Sequence, residues 1–211
     1  MIKVSKPTSL IIAFTLLVGA FVIFYSQPSW LFAKKIAGEE LYGHVTSFTL
    51  SEVVMTNQRG ERVSWNSFAD KPLYLTLGFT SCPNTCPVTM SHFQRLASRL
   101  TSQASYSLLT VDPERDKPEV LEAYLGAINP NFIGLFINKA ERLNQVTSEL
   151  KQSVFVAKQG EQIIHKGSVY LIHPKVAGLI VYDELNLDIE KMVADFNLLD
   201  SNKQQNKLAL N

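Results

Sequence analysis

The two cysteines of this 211-residue chain, Cys82 and Cys86, stand four positions apart between two segments of opposite character. Ahead of them, Leu73-Tyr74-Leu75-Thr76-Leu77-Gly78-Phe79 has the aromatic and apolar bias of a buried strand. Behind them, Val88, Phe93, Leu96 and Leu100 recur at near-helical spacing. The pair therefore occupies a strand-to-helix turn. Pro87 suits the first turn of a helix, where its missing N–H would have no partner, and Pro83 keeps the residues just after Cys82 from winding into one. Cys86 is expected at the helix N-terminus. There the dipole and the open N–H groups favour thiolate, the form that binds metals and attacks disulfides.

A net charge of +1 with interspersed signs gives no case for nucleic acid or for an acidic macromolecular substrate. The N-terminus departs from that average: residues 7–33 carry no charge, and 10–25 are apolar apart from Thr15. Such a run is long enough to cross a bilayer. Lys3 and Lys6 precede it and Lys34 and Lys35 follow; the first pair lies closer to the run, which favours an N-inside orientation. A cleaved signal peptide is the competing reading, but the run is longer than a signal core and no clean small-x-small site follows. The expected organisation is a membrane anchor with a short cytoplasmic tail over 1–35, an exported domain over 36–200, and a polar, disordered tail over 201–211.

The exported part alternates strand and helix signals. Residues 45–50 and 52–56 read as short strands, and Asn57-Gln58-Arg59-Gly60 as a hairpin turn into 61–65. Residues 106–111 form the next strand. Asp116 is a plausible cap for a helix carrying Val120, Leu121, Tyr124, Leu125 and Ile128 on one face. A strand at 132–137, a helix at 139–151, extended runs at 154–157 and 162–165, a pair at 169–172 and 179–182, and a helix through Ile189, Met192, Phe196 and Leu199 complete the order. Hairpin, βαβα, antiparallel hairpin and final helix make a thioredoxin-like three-layer α/β arrangement with a central mixed sheet.

In such sheets sites gather at the carboxyl ends of parallel strands. The cysteines follow one of these strands and Asp112 follows the next. If 169–172 runs antiparallel, the residues leading into it, His165 among them, face the same edge. Of the other histidines, His92 lies on the cysteine helix about 120° off the Cys86 face. His44 precedes the first strand, and His173 ends a strand at the opposite edge.

Three chemistries suit the cysteine pair. A structural disulfide would close a very small loop and so make a poor staple. A reversible dithiol would use Cys82 as the more exposed attacking sulfur and Cys86 as the resolving one. Two thiolates with an imidazole make a soft, three-coordinate set suited to copper(I), whereas a closed zinc site would want a fourth protein ligand. A thiol peroxidase would need Thr-x-x-Cys, and Thr80 is not at that distance from Cys82.

The run 78–87, followed by Thr110-Val111-Asp112-Pro113-Glu114-Arg115-Asp116 and by His165 five residues ahead of Tyr170-Leu171-Ile172, resembles the Sco/SenC family of copper-binding assembly proteins. The match runs in order over about residues 44–199. The resemblance implies one copper ion, as copper(I) or copper(II), held by Cys82, Cys86 and His165, with Asp112 orienting a ligand or its partner. It also implies a metallochaperone role in maturing the dinuclear copper centre of cytochrome c oxidase subunit II or a similar copper-site protein. A thiol reductant and a copper donor would serve it. The anchor would place the domain on the periplasmic side of a bacterial inner membrane. If the protein is an enzyme, the implied activity is thiol-disulfide oxidoreduction. Lys166 and Gly167 stand where the family usually has a small hydroxyl residue after the histidine, and His173 replaces the usual aspartate at the strand end.

Overall fold

The computed structural model describes residues 41–46, 51–83, 85–152, 155–156, 163–164, 167–174, 176, 178–183 and 187–208. All of them belong to the unit Glu39–Asn211. The expected anchor, and with it His165, lies outside the described residues. Among those described, no helix is long and apolar enough to cross a membrane.

The strands are β1 (His44–Thr46), β2 (Met55–Asn57), β3 (Arg62–Val63), β4 (Leu73–Gly78), β5 (Ser105–Thr110), β6 (Ile133–Phe136), β7 (Phe155–Val156), β8 (Ile163–Ile164), β9 (Val169–Ile172) and β10 (Leu179–Tyr182). The helices are α1 (Thr85–Leu100), α2 (Pro118–Ile128), α3 (Ala140–Glu149) and α4 (Ile189–Leu208). Among the described residues, eight strands form one sheet in the order β1-β10-β9-β4-β5-β6-β2-β3. The central strands β4, β5 and β6 run parallel, and β9 pairs antiparallel with β4, Thr76 lying opposite Val169. The sheet is mixed, as expected. Strands β7 and β8 pair antiparallel with each other in a separate ribbon.

Alternation along β4 sorts the two faces. Leu73, Leu75, Leu77 and Phe79 join Leu109, Val111, Leu135 and Tyr170 in a core closed by Leu143, Val146 and Leu150 of α3 and its end. Tyr74 and Thr76 point the other way. On that side Tyr74 stacks on Tyr106 at 5.6 Å between centroids, Phe93 of α1 meets Tyr106 edge-on, and the Tyr74 hydroxyl reaches the Met192 carbonyl of α4. Every residue of β4 is buried, which is why its sequence reads as a continuous apolar run. Helix α1 buries Cys86, Thr89, Met90, Phe93, Leu96 and Leu100, the stripe that three- and four-residue steps produce.

Several local expectations change. The strand expected over 52–56 contracts to β2, and the chain expected extended to residue 65 turns into a short 3-10 helix at Trp65–Phe68, where Ser64 and Ser67 form a capping box. Helix α4 continues to Leu208, past the point where a frayed tail was expected. The polar run there is rich in Lys and Gln, straight-chain residues that lose little on entering a helix. Lys117, not Asp116, is the N-cap of α2, with Pro118 as its first residue. Asp116 points inward instead.

Candidate metal centre

Strand β4 ends at Gly78, and the chain turns at once, with the Cys82 N–H donating to the Phe79 carbonyl at 3.1 Å. Helix α1 begins at Thr85, so Cys86 is its second residue and Pro87 its third. The Cys86 N–H is one of the donors that a helix leaves without an internal partner. It points at the Cys82 sulfur, 3.4 Å away. Cys82 is half-buried and Cys86 is buried, the asymmetry of an outer, approachable sulfur and an inner one.

Burial pushes the Cys86 thiol well above its ordinary range. A hydrogen bond with the Phe79 backbone pulls the other way, and Cys82 and Asp116 add to the rise. Desolvation thus acts against the thiolate that the helix N-terminus favours. A cation that takes the place of the proton removes that penalty.

Glycine makes the fit around Cys86 possible. A β-carbon on Gly78 would stand 2.8 Å from the Cys86 sulfur and 2.7 Å from Leu108 Cδ1. A β-carbon on Gly167 would stand 2.5 Å from Thr85 Cγ2. The chain entering β9 thus passes against the first turn of α1, and the Thr76 hydroxyl donates to the Ser168 carbonyl at 3.0 Å. The cysteine helix and Gly167, on the approach to β9, meet at this edge.

Asp112 also lies there, but its side chain pairs with Arg115, whose guanidinium stacks over Phe79. The carboxyl bonded to the cysteine turn is Asp116: it is fully buried and accepts from the Thr80 N–H at 3.0 Å, the Thr80 hydroxyl at 2.5 Å and the Thr110 hydroxyl at 2.7 Å. Sequence reasoning took it for a helix cap, and the signal that could have separated the two is Pro118, which leaves Lys117 as the cap. Tyr124 was likewise read as part of an apolar face. Its hydroxyl is pushed up to about 12, by burial first and then by Cys86, Cys82 and Asp116, so it stands within electrostatic reach of both sulfurs.

The remaining histidines are placed elsewhere. His92 packs in α1, its protonation disfavoured by burial and then by Arg95. His44 begins β1, 3.8 Å from Asp183, and His173 is buried against Phe196 with ring centroids 6.5 Å apart. Among the described residues, no group of three or more His, Cys, Asp or Glu could hold a metal ion. Cys82 and Cys86, joined through the Cys86 N–H and the Cys82 sulfur, make a soft but incomplete donor pair.

The profile of the family described as SCO1/SenC matches residues 44–199. A curated protein of Stutzerimonas stutzeri, named a putative copper-binding protein, is 30% identical over 59% of this chain and 64% of its own length. The chain therefore spans a little under two thirds of that relative. A solved structure of Arabidopsis thaliana ScoI with copper bound superposes with a TM-score of 0.62 at 22% identity, over 73% of this chain and 98% of that one. BsSco, described as a member of the Sco family of cytochrome c oxidase assembly proteins in which a disulfide switch was identified, gives 0.64 at 22% identity, over 75% of this chain and 97% of that one. At these identities the two structures establish the likeness of fold.

Proposed function

The chain belongs to the SCO1/SenC family, and from that premise we propose that it is a membrane-anchored copper chaperone with a redox-active dithiol. Its cargo is one copper ion, held by Cys82, Cys86 and His165. Its task is to supply the dinuclear copper centre of cytochrome c oxidase or a similar copper-site protein. The observation that carries this reading is the seating of Gly167 against Thr85, one residue from Cys86. His165 stands two positions before Gly167 in sequence, which supports its choice as the third ligand. Two thiolates and an imidazole match the soft-ligand preference of copper(I).

Thiol state gates the cycle. In an oxidising compartment the pair rests as a disulfide until a thiol reductant opens it. Cys86 then sheds its proton only as copper replaces it, so uptake releases protons. Delivery proceeds by ligand exchange, with thiolates and imidazoles of the target replacing Cys82, Cys86 and His165 in turn.

The burial of Cys86 beneath the half-buried Cys82 also favours a second reading. A thiol-disulfide oxidoreductase would attack with Cys82 and resolve with Cys86, and would not use His165. Copper(I) titration of the reduced protein separates the two. The chaperone reading requires one ion per chain, loss of binding in Cys82→Ser and Cys86→Ser, and at least about a hundredfold weakening in His165→Ala, since even residues that merely orient ligands cost 10–100-fold. Copper affinity indifferent to His165 would hand the role to the oxidoreductase.

A further inference from the structure

Asp116 is joined to two segments at once. Its Oδ2 accepts from the Thr80 N–H and the Thr110 hydroxyl, and its Oδ1 from the Thr80 hydroxyl. Thr110 ends β5 and lies in register beside Gly78 at the end of β4. The Asp116 N–H is itself held by the Asp112 carbonyl at 2.9 Å. A buried carboxyl is costly to desolvate and is offset here only by its complete set of donors. Thr80, gripped through main chain and side chain together, stands two residues ahead of Cys82.

We propose that Asp116 is a positioning residue for the dithiol: by clamping Thr80 to the end of β5 it fixes where the Cys82 sulfur stands relative to Cys86, and thereby sets the reduction potential of the pair. Oxidation must bring the two sulfurs to the roughly 2.05 Å of a covalent bond. The turn that carries Cys82 has to yield for that to happen. A clamp on Thr80 resists the movement, which disfavours the disulfide and makes it easier for a reductant to open the pair to the form that accepts a metal.

The inference rests on the reading of Cys82 and Cys86 as the working pair, but its test needs no copper. The full-length, copper-free chain is equilibrated with glutathione and glutathione disulfide. Cys82 attacks one sulfur of glutathione disulfide and one glutathione leaves. Cys86 then attacks the mixed disulfide and the second leaves; two electrons pass to glutathione disulfide, and the two thiol protons end on the two glutathione thiols. Asp116→Asn and Thr80→Val should each move the equilibrium about tenfold toward the protein disulfide, which is about 30 mV. The double variant should move it no further, because both changes break one clamp, and Thr80→Ser should keep the wild-type value.

An unchanged equilibrium in both single variants would overturn the proposal, as would shifts that add in the double variant. Were the clamp only structural, its loss would lower the stability of reduced and oxidised protein alike and leave their ratio untouched. Should Asp116→Asn fail to fold, Thr80→Val and Thr80→Ser carry the test with the carboxyl in place. Absence of copper binding by the wild-type chain would sink the copper-chaperone reading and leave this measurement standing.

Discussion

The backbone of Gly167 lies so close to the side chain of Thr85 that a β-carbon at residue 167 would stand 2.5 Å from Thr85 Cγ2. Thr85 is the first residue of α1 and Cys86 the second. The approach to β9 and the start of the cysteine helix are thus fitted to each other without a spare methyl group.

Gly167→Ala should accordingly push the two segments apart and weaken copper(I) binding about tenfold, a cost within the usual range for overpacking a fitted contact. Thiol labelling of Cys82 should not change. Adding Thr85→Ser, which removes the opposing methyl, should restore affinity in a competition titration against a chromophoric chelator. Failure of that rescue would mean that Gly167 serves something other than this contact.

Gly78→Ala places its methyl 2.8 Å from the Cys86 sulfur and 2.7 Å from Leu108 Cδ1. Both neighbours are buried. The expected outcome is a loss of about 1–3 kcal/mol in stability, together with weaker copper binding as the sulfur is displaced. Urea unfolding with and without copper measures the two effects separately.

Stability should fall as the medium becomes alkaline. Burial raises Cys86 above its ordinary 9.0, and raises Tyr74, Tyr106, Tyr170 and Tyr182 above their ordinary 10.0. A raised value means that the folded protein keeps a proton that the unfolded chain has already lost. The contribution is therefore whole below the unfolded values and declines from about pH 9 upward, each group adding at most about 1.4 kcal/mol per pH unit. Urea midpoints across that range should drop steadily, and Cys86→Ser should flatten the earliest part of the decline. A midpoint independent of pH would contradict the assignment of these groups as buried and neutral.

Asp195 of α4 receives the Tyr42 and Gly43 N–H groups at 3.0 and 2.9 Å and the Tyr182 hydroxyl at 3.1 Å. Asp195→Ala leaves those donors in a closed space and should cost about 2–4 kcal/mol. Copper affinity and dithiol potential should stay at wild-type values, which a titration and a glutathione equilibration would check.

The parts of the fold that were legible are those where one face or one period dominates. Strand β4 is buried on both sides and reads as an unbroken apolar run; α1 shows its stripe because Phe93, Leu96 and Leu100 are all buried. The cysteine corner was legible because proline constrains it on both flanks. Asp116 was not, since an aspartate shortly before a helix has two uses, capping with its side chain outward or bonding inward, and the one local signal between them is Pro118, which makes Lys117 the cap. What decided it was Thr110, which lies six residues back along the chain and offers a hydroxyl from the neighbouring strand. Tyr124 was hidden for a similar reason: helical spacing shows that it faces the protein, and only the tertiary fold determines that the charges of Cys86, Cys82 and Asp116 act on it.

Strands β7 and β8 pair with one another, and among the described residues with no strand of the larger sheet. Insertions or deletions at that ribbon need not shift the register of β4, β5 or β9. It can behave as an exchangeable cassette, so that descendants of this chain could remodel it while inheriting the sulfur corner untouched.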